Sequence, residues 1–199
     1  MRISDIRPHK KITSRVSIYI DGKYALSLDQ LSLSDQGLKK GQEIDLDRLE
    51  ELKNLEQSDK IYFLTLSYVS RARKTRWQVE TYLKRKKASP ALTDAILNKL
   101  SNLGLINDEA FALAFVNDHK SFSPASINKI RYSLRAKHIK GEVIDKVLTQ
   151  TELSDKSSIK QLVEIKRRQT RYQDDLKLMQ YLSRQGYSYS DIKDAVKGD

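Results

Sequence analysis

Leu92-Thr93-Asp94-Ala95-Ile96, Val143-Ile144-Asp145-Lys146-Val147 and Ile192-Lys193-Asp194-Ala195-Val196 spell one pattern, apolar-x-Asp-x-apolar, three times in a chain of 199 residues. Each copy follows a stretch that closes on an equivalent leucine: Leu83 with Ala88 five positions on, Leu134 with Ile139, and Leu182 with Tyr187. The leucines stand 51 and 48 residues apart. A period near fifty marks a repeat architecture, in which each unit buries its apolar face against its neighbour. Between the copies the apolar spacing is helical: Ile61, Leu64, Thr65 and Tyr68 follow i, i+3, i+4, i+7. Thr75 and Gln78 have capping-box spacing, Ser89-Pro90 and Ser123-Pro124 read as helix starts, and Asp108 as the cap of the helix carrying Phe111, Phe115 and Val116. Gly104 and Gly186 read as helix ends. The expected fold is mainly α. It has three tandem three-helix repeats, over residues 58–106, 107–151 and 155–198, forming an elongated curved body because each repeat contacts mainly its neighbours.

Residues 1–57 have a different grammar. Val16, Ile18 and Ile20 alternate with Ser17 and Tyr19, Asp21-Gly22 suits a two-residue primed turn, and Tyr24, Leu26 and Leu28 alternate back. This predicts a β-hairpin, with residues 2–8 as a candidate third strand. A lone hairpin is marginal in water, so it needs partners. Short helices near Leu28–Gln36 and Leu46–Asn54 are expected to supply them, with Gly37 and Gly41 bracketing their connection.

Charge divides along the same line. The chain carries +11, yet residues 1–57 hold ten basic and ten acidic side chains, so the whole excess belongs to the helical part. A basic region of this kind is attracted to polyanions, of which nucleic acid is the commonest in a cytosol; a merely solvating surface is the plain alternative. With no cysteine, disulfides and thiolate metal sites are excluded. No apolar run is long enough to span a bilayer, and Met1-Arg2-Ile3-Ser4-Asp5 opens no secretory signal, so a cytoplasmic protein without membrane contact is expected.

No enzyme site is legible. His9, His119 and His138 lack a second histidine at metal-ligand spacing, and Gly37-Leu38-Lys39-Lys40-Gly41 is not a phosphate-binding loop. Asp174-Asp175 reads as a helix cap, and the recurrent Asp94, Asp145 and Asp194 as structural. No cofactor, no metal and no catalytic residue is expected. The basic clusters are the candidate binding residues: Arg71, Arg73, Lys74, Arg76, Lys84, Arg85 and Lys87; then Lys129, Arg131 and Arg135, with Lys137 beside them; then Lys166, Arg167, Arg168 and Arg171. Guanidinium groups bind phosphates bidentately, so such a set can follow a nucleic-acid backbone, though nothing in it reads bases. Trp77, Tyr132 and Tyr172 can stack on unpaired bases, but packing is the preferred reading. Tyr62, Tyr68, Tyr82 and Tyr181 are assigned to the cores. No heptad seam calls for a coiled coil, and a monomer is expected.

Taken jointly, these residues resemble the RecX regulators of the RecA recombinase. The middle repeat carries the most specific part: Gly104-Leu105-Ile106-Asn107-Asp108-Glu109-Ala110-Phe111-Ala112, Phe115-Val116, Ser123-Pro124, Ile127 to Leu134 and Lys137-His138-Ile139. The first adds Leu66 to Thr75 with Leu83 and Lys84-Arg85-Lys86, and the third Tyr181 to Tyr187 with Ile192. The resemblance covers residues 58–197, and the hairpin is similar to an N-terminal extension of many members. Lys87 and His138 stand where the family often has glycine, and Ser123 where glycine usually precedes the proline. The resemblance implies a regulator, not an enzyme, whose partners are the RecA nucleoprotein filament and DNA, single- or double-stranded. It also implies inhibition of the recombinase and its ATPase, by blocking filament extension or promoting disassembly, and so a place in DNA repair, recombination and the SOS response. A stand-alone basic nucleic-acid-binding helical-repeat protein is the alternative.

Overall fold

The structure is a computed structural model that describes residues 1–9 and 14–197; residue 198, where the third repeat is expected to end, lies outside the described residues. The chain divides into two compact units, residues 1–71 with 82–98, and residues 72–81 with those from 99 onward.

The first unit opens with an antiparallel sheet in chain order: β1 (Ile3–Pro8), β2 (Arg15–Ile20) and β3 (Lys23–Asp29). Ile18 pairs with both Ile6 and Leu26, as the alternation requires. The turn is Asp21-Gly22, both at positive φ (46° and 80°), the combination that matches strand twist in a two-residue hairpin. Ile3, Ile18, Leu26 and Leu28 are fully buried, and they pack with Leu38, Ile44 and Leu52. Each such side chain contributes on the order of 1.5–3 kcal/mol by leaving water. Two helices follow: α1 (Gln30–Asp35), N-capped by Asp29, and α2 (Leu46–Arg71).

Helix α2 also guards the open edge of β3. Glu56 accepts from the Ser27 amide at 2.8 Å and hydroxyl at 3.1 Å, and Asp59 accepts from the Asp29 amide at 3.5 Å. Edge donors are thereby occupied by side chains of the same protein, which blocks pairing with another strand. Burial raises the Asp59 carboxyl above its ordinary value and Asp29 adds to this, while the Ser32 hydroxyl opposes it.

The two helices expected near Leu46–Asn54 and from Ser58 onward are one helix of 26 residues. No glycine or proline interrupts this stretch, and the Ser58 hydroxyl donates to the Asn54 carbonyl within the helix instead of capping a new one. Position 57/58 therefore lies inside α2. Helices α3 (Arg76–Arg85) and α4 (Pro90–Asn102) complete the first triplet; Tyr68 and Tyr82, assigned to the core, are half-buried and stack on each other at 4.3 Å.

The second unit contains two further triplets. Helices α5 (Asp108–Ser121), α6 (Ile127–Ala136) and α7 (Gly141–Gln150) enclose Ala112, Val116, Ile130, Leu134, Ile144 and Val147. Helices α8 (Asp155–Arg167), α9 (Asp175–Arg184) and α10 (Tyr189–Lys197) enclose Ile159, Leu162, Leu178, Leu182 and Ile192. Two caps differ from expectation. Helix α6 starts after Ser126, whose hydroxyl accepts from the Lys129 amide, and not at Ser123-Pro124. Asn107, not Asp108, caps α5 by accepting from the Ala110 amide at 2.9 Å. In both places the sequence offers two competent caps, and the tertiary contacts below employ the polar groups differently.

Candidate nucleic-acid interface

The polar groups at the start of α3 and of α6 are used in the same way. Beside the first turn of α3, the Thr75 hydroxyl donates to the Lys137 carbonyl at the end of α6, at 3.2 Å. The Arg76 amide donates to Asp108 at 2.8 Å. One repeat on, the Ser126 hydroxyl donates to the Gln185 carbonyl at the end of α9, at 2.7 Å, and the Ile127 amide donates to Asp155 at 2.7 Å. The first amide of each of these middle helices is thus satisfied by the next triplet, and a hydroxyl is returned to that triplet's orphan carbonyl. Thr75 and Ser126 are fully buried, so the groups have no water to fall back on. Asp108 and Asp155 serve these junctions.

The α3–α6 junction brings together clusters some sixty positions apart in sequence. Arg73 and Arg76 stand at the start of α3, Arg135 and Lys137 at the end of α6, and Lys140 is the N-cap residue of α7. Trp77 and His138 stack across the same junction, with ring centroids 4.2 Å apart and planes 17° from parallel. Helices α3, α6 and α9 end on left-handed residues at equivalent places: Lys87 (φ 59°), His138 (φ 58°) and Gly186 (φ 85°).

The other candidate cations divide into engaged and open. Arg131 is bonded to Asp145, the middle one of the recurrent aspartates. Arg167 holds Asp175 and the Gln173 carbonyl, closing the start of α9, where Asp174 is the N-cap. Lys129 bonds the Gln185 side chain. Lys166 lies over the rings of Tyr172 and Tyr181, Arg171 over Tyr172, Arg85 over Tyr82, and Lys137 over Phe111 and Phe115. Arg71, Arg73, Arg76, Lys84, Lys87, Arg135 and Arg168 are exposed or at helix ends and form no ion pair with any described residue; Lys74 is partly buried. Arg71, Lys84, Arg85 and Lys87 belong to the first unit, the others to the second.

Among the aromatics, Tyr172 packs on Tyr181 and Trp77, 38% exposed, on His138, as preferred, but Tyr132 is 75% exposed, which corrects the packing reading for that residue. Tyr132 lies off the buried positions of α6, which Ile130 and Leu134 take. Among the described residues no three His, Asp or Glu side chains gather as a metal site, and no helix is long and apolar enough to cross a membrane.

Comparison with known proteins identifies the scaffold. Residues 1–45 match the family model for the regulatory protein RecX N-terminal domain, and residues 107–148 that for the RecX second three-helix domain. A regulatory protein RecX of Bacillus mycoides is 30% identical over 196 residues, covering 94% of this chain and 72% of that protein. The chain belongs to the RecX family. RecX of Bacillus subtilis is 31% identical over 155 residues, 78% of this chain and 59% of that protein; the Clostridium acetobutylicum RecX is 26% identical over 98% of this chain and 94% of its own. A crystal structure of regulatory protein RecX covers 100% of this chain and 99% of its own with a TM-score of 0.74 at 29% identity. RecX from Lactobacillus salivarius covers 71% of this chain and 96% of its own, with a TM-score of 0.58 at 25% identity. The relatives carry the name of regulatory proteins.

Within this RecX-family chain, sequence reasoning missed His138, Asp108 and Asp155 as junction residues. The signals were present. His138 occupies the place of Gly186 in the next repeat, and Asp108 and Asp155 each open the first helix of a repeat.

Proposed function

We propose that this chain is a regulator that binds RecA–DNA filaments as a monomer in the cytoplasm, and inhibits the recombinase and its ATPase by blocking filament extension or promoting disassembly. The observation that carries the reading is the set of exposed cations without acidic partners on a RecX-family helical scaffold. Phosphates of a nucleoprotein filament are the complementary surface, and Arg73, Arg76, Arg135 and Arg168 present guanidinium groups to them. The repeats at 58–106, 107–151 and 155–198 would each supply a modest contact, and several engaged at once add avidity. No bond needs to be made or broken: a ligand with greater affinity for one filament state shifts the population towards it.

The test is the single-stranded-DNA-dependent ATPase of the cognate RecA, titrated with this protein at fixed salt, with DNA binding by the protein alone measured in parallel. Inhibition is expected well below the concentration that coats the DNA. Inhibition only once the DNA is saturated would make the chain a stand-alone nucleic-acid-binding repeat protein instead, with a steep fall of binding with salt whether or not RecA is present.

A further inference from the structure

We propose that the Trp77–His138 pair is a stacking platform for an unpaired nucleobase, which makes the α3–α6 junction a site for single-stranded nucleic acid. This rests on the proposed function only in that the chain engages nucleic acid. Three observations converge on it. The rings are nearly parallel at 4.2 Å and cover each other's inner faces, while Trp77 keeps 38% of its surface in solvent and His138 is exposed, so the pair holds aromatic surface at a fixed orientation. His138 sits at a left-handed φ of 58°, as Lys87 does at the equivalent place in α3 and Gly186 in α9, and of the three only His138 brings an aromatic ring. A position whose backbone favours glycine carries instead the ring that completes the stack.

The third observation is charge. Arg73, Arg76, Arg135 and Lys140 are exposed around these rings in sequence, and none forms an ion pair with a described residue. The Thr75 hydroxyl on the Lys137 carbonyl holds the two basic segments together. Aromatic faces flanked by unpaired guanidinium groups are the chemistry that binds a single strand: bases stack on the rings and phosphates meet the cations. Duplex bases are already stacked on each other, so a duplex meets only the cations.

Trp77 is the only tryptophan in the chain, so its emission reports the site directly. The full protein is titrated with a short oligothymidylate, an abasic strand of the same length, and a duplex, each followed by Trp77 fluorescence and, independently, by anisotropy of a labelled strand. Quenching is expected with oligothymidylate alone, although all three bind. Trp77→Leu is expected to weaken oligothymidylate binding about tenfold while leaving the abasic strand and duplex unchanged. His138→Gly, which removes the ring and suits the backbone, is expected to act in the same direction with the fold intact by circular dichroism. Equal quenching by the abasic strand, or unaltered preference for oligothymidylate in both variants, would overturn the platform. So would failure of the parent protein to bind any of the three, and in that case inhibition of the RecA ATPase tells whether the proposed function survives without it.

Discussion

The α3–α6 and α6–α9 junctions solve one mechanical problem with the same two hydrogen bonds, and differ in what they place around them. At each, a buried hydroxyl before a middle helix donates to the last carbonyl of the next middle helix, and an aspartate of the following repeat takes the first amide. At α6–α9 the helices come so close that a Cβ on Gly186 would stand 2.7 Å from the Ser126 hydroxyl oxygen. At α3–α6 the same position is His138, and its ring lies on Trp77. Where the first junction has Arg73, Arg76, Arg135 and Lys137, the second has Pro124, Ile127, Ser183 and Gln185. One junction is a close-packed joint, the other a joint that carries cations and aromatic surface. A repeat fold can therefore keep its joints and vary their faces.

The largest effect should come from closing the second junction. Gly186→Ala puts a methyl against a buried serine at φ 85°, and is expected to cost about 2–3 kcal/mol through left-handed strain and the lost Ser126–Gln185 bond. Thermal unfolding should show a fall of roughly 5–10 °C; an unchanged midpoint would show that the helices separate freely there.

Charge should matter at the first junction. Reversing Arg73, Arg76 and Arg135 together is expected to weaken nucleic-acid binding about tenfold or more, with a shallower salt dependence. Reversing Arg131 and Arg167, already held by Asp145 and Asp175, should change it less. Equal losses from the two sets would erase the distinction between engaged and open cations.

A smaller effect concerns Asp155. Burial raises its carboxyl above the ordinary value and Asp191 adds to that, while the Ile127 amide opposes it. A carboxyl raised on folding lends stability that is fully present below its unfolded value and is lost as pH rises through its folded value. Asp155→Asn keeps an oxygen for the Ile127 amide and removes the charge. The variant should match or slightly exceed the parent at neutral pH, and lose part of the parent's gain in stability as the solution is acidified towards pH 4. Unfolding midpoints across that range decide it. The smallest effect is on stability in His138→Gly: relief of a left-handed histidine, about 1 kcal/mol, offsets the lost stack, about 0.5–1.5 kcal/mol, so the midpoint should barely move.

These junctions also mark how far the sequence could be read. The hairpin with its Asp21-Gly22 turn, the Thr75–Gln78 capping box, the helical triplets and the core positions Leu83, Leu134 and Leu182 were legible because turn geometry, capping and helical period act over a few residues. The same short range explains the errors. A cap can be recognised locally, but choosing Ser126 over Ser123, or Asn107 over Asp108, depended on which hydroxyl or carboxylate a distant helix end required. The join of 46–54 to the helix beyond it had a local sign in the absence of glycine and proline, yet the change of apolar period near Ser58 masked it in a segment whose carboxylates Glu56 and Asp59 are committed to the edge of β3. The sequence by itself determined the basic excess, the family and the repeating helices. Only the tertiary structure decided that residues 75–77 meet 137–138, because that meeting is made by hydrogen bonds and ring contact between segments some sixty residues apart, whose cost and gain no local window contains.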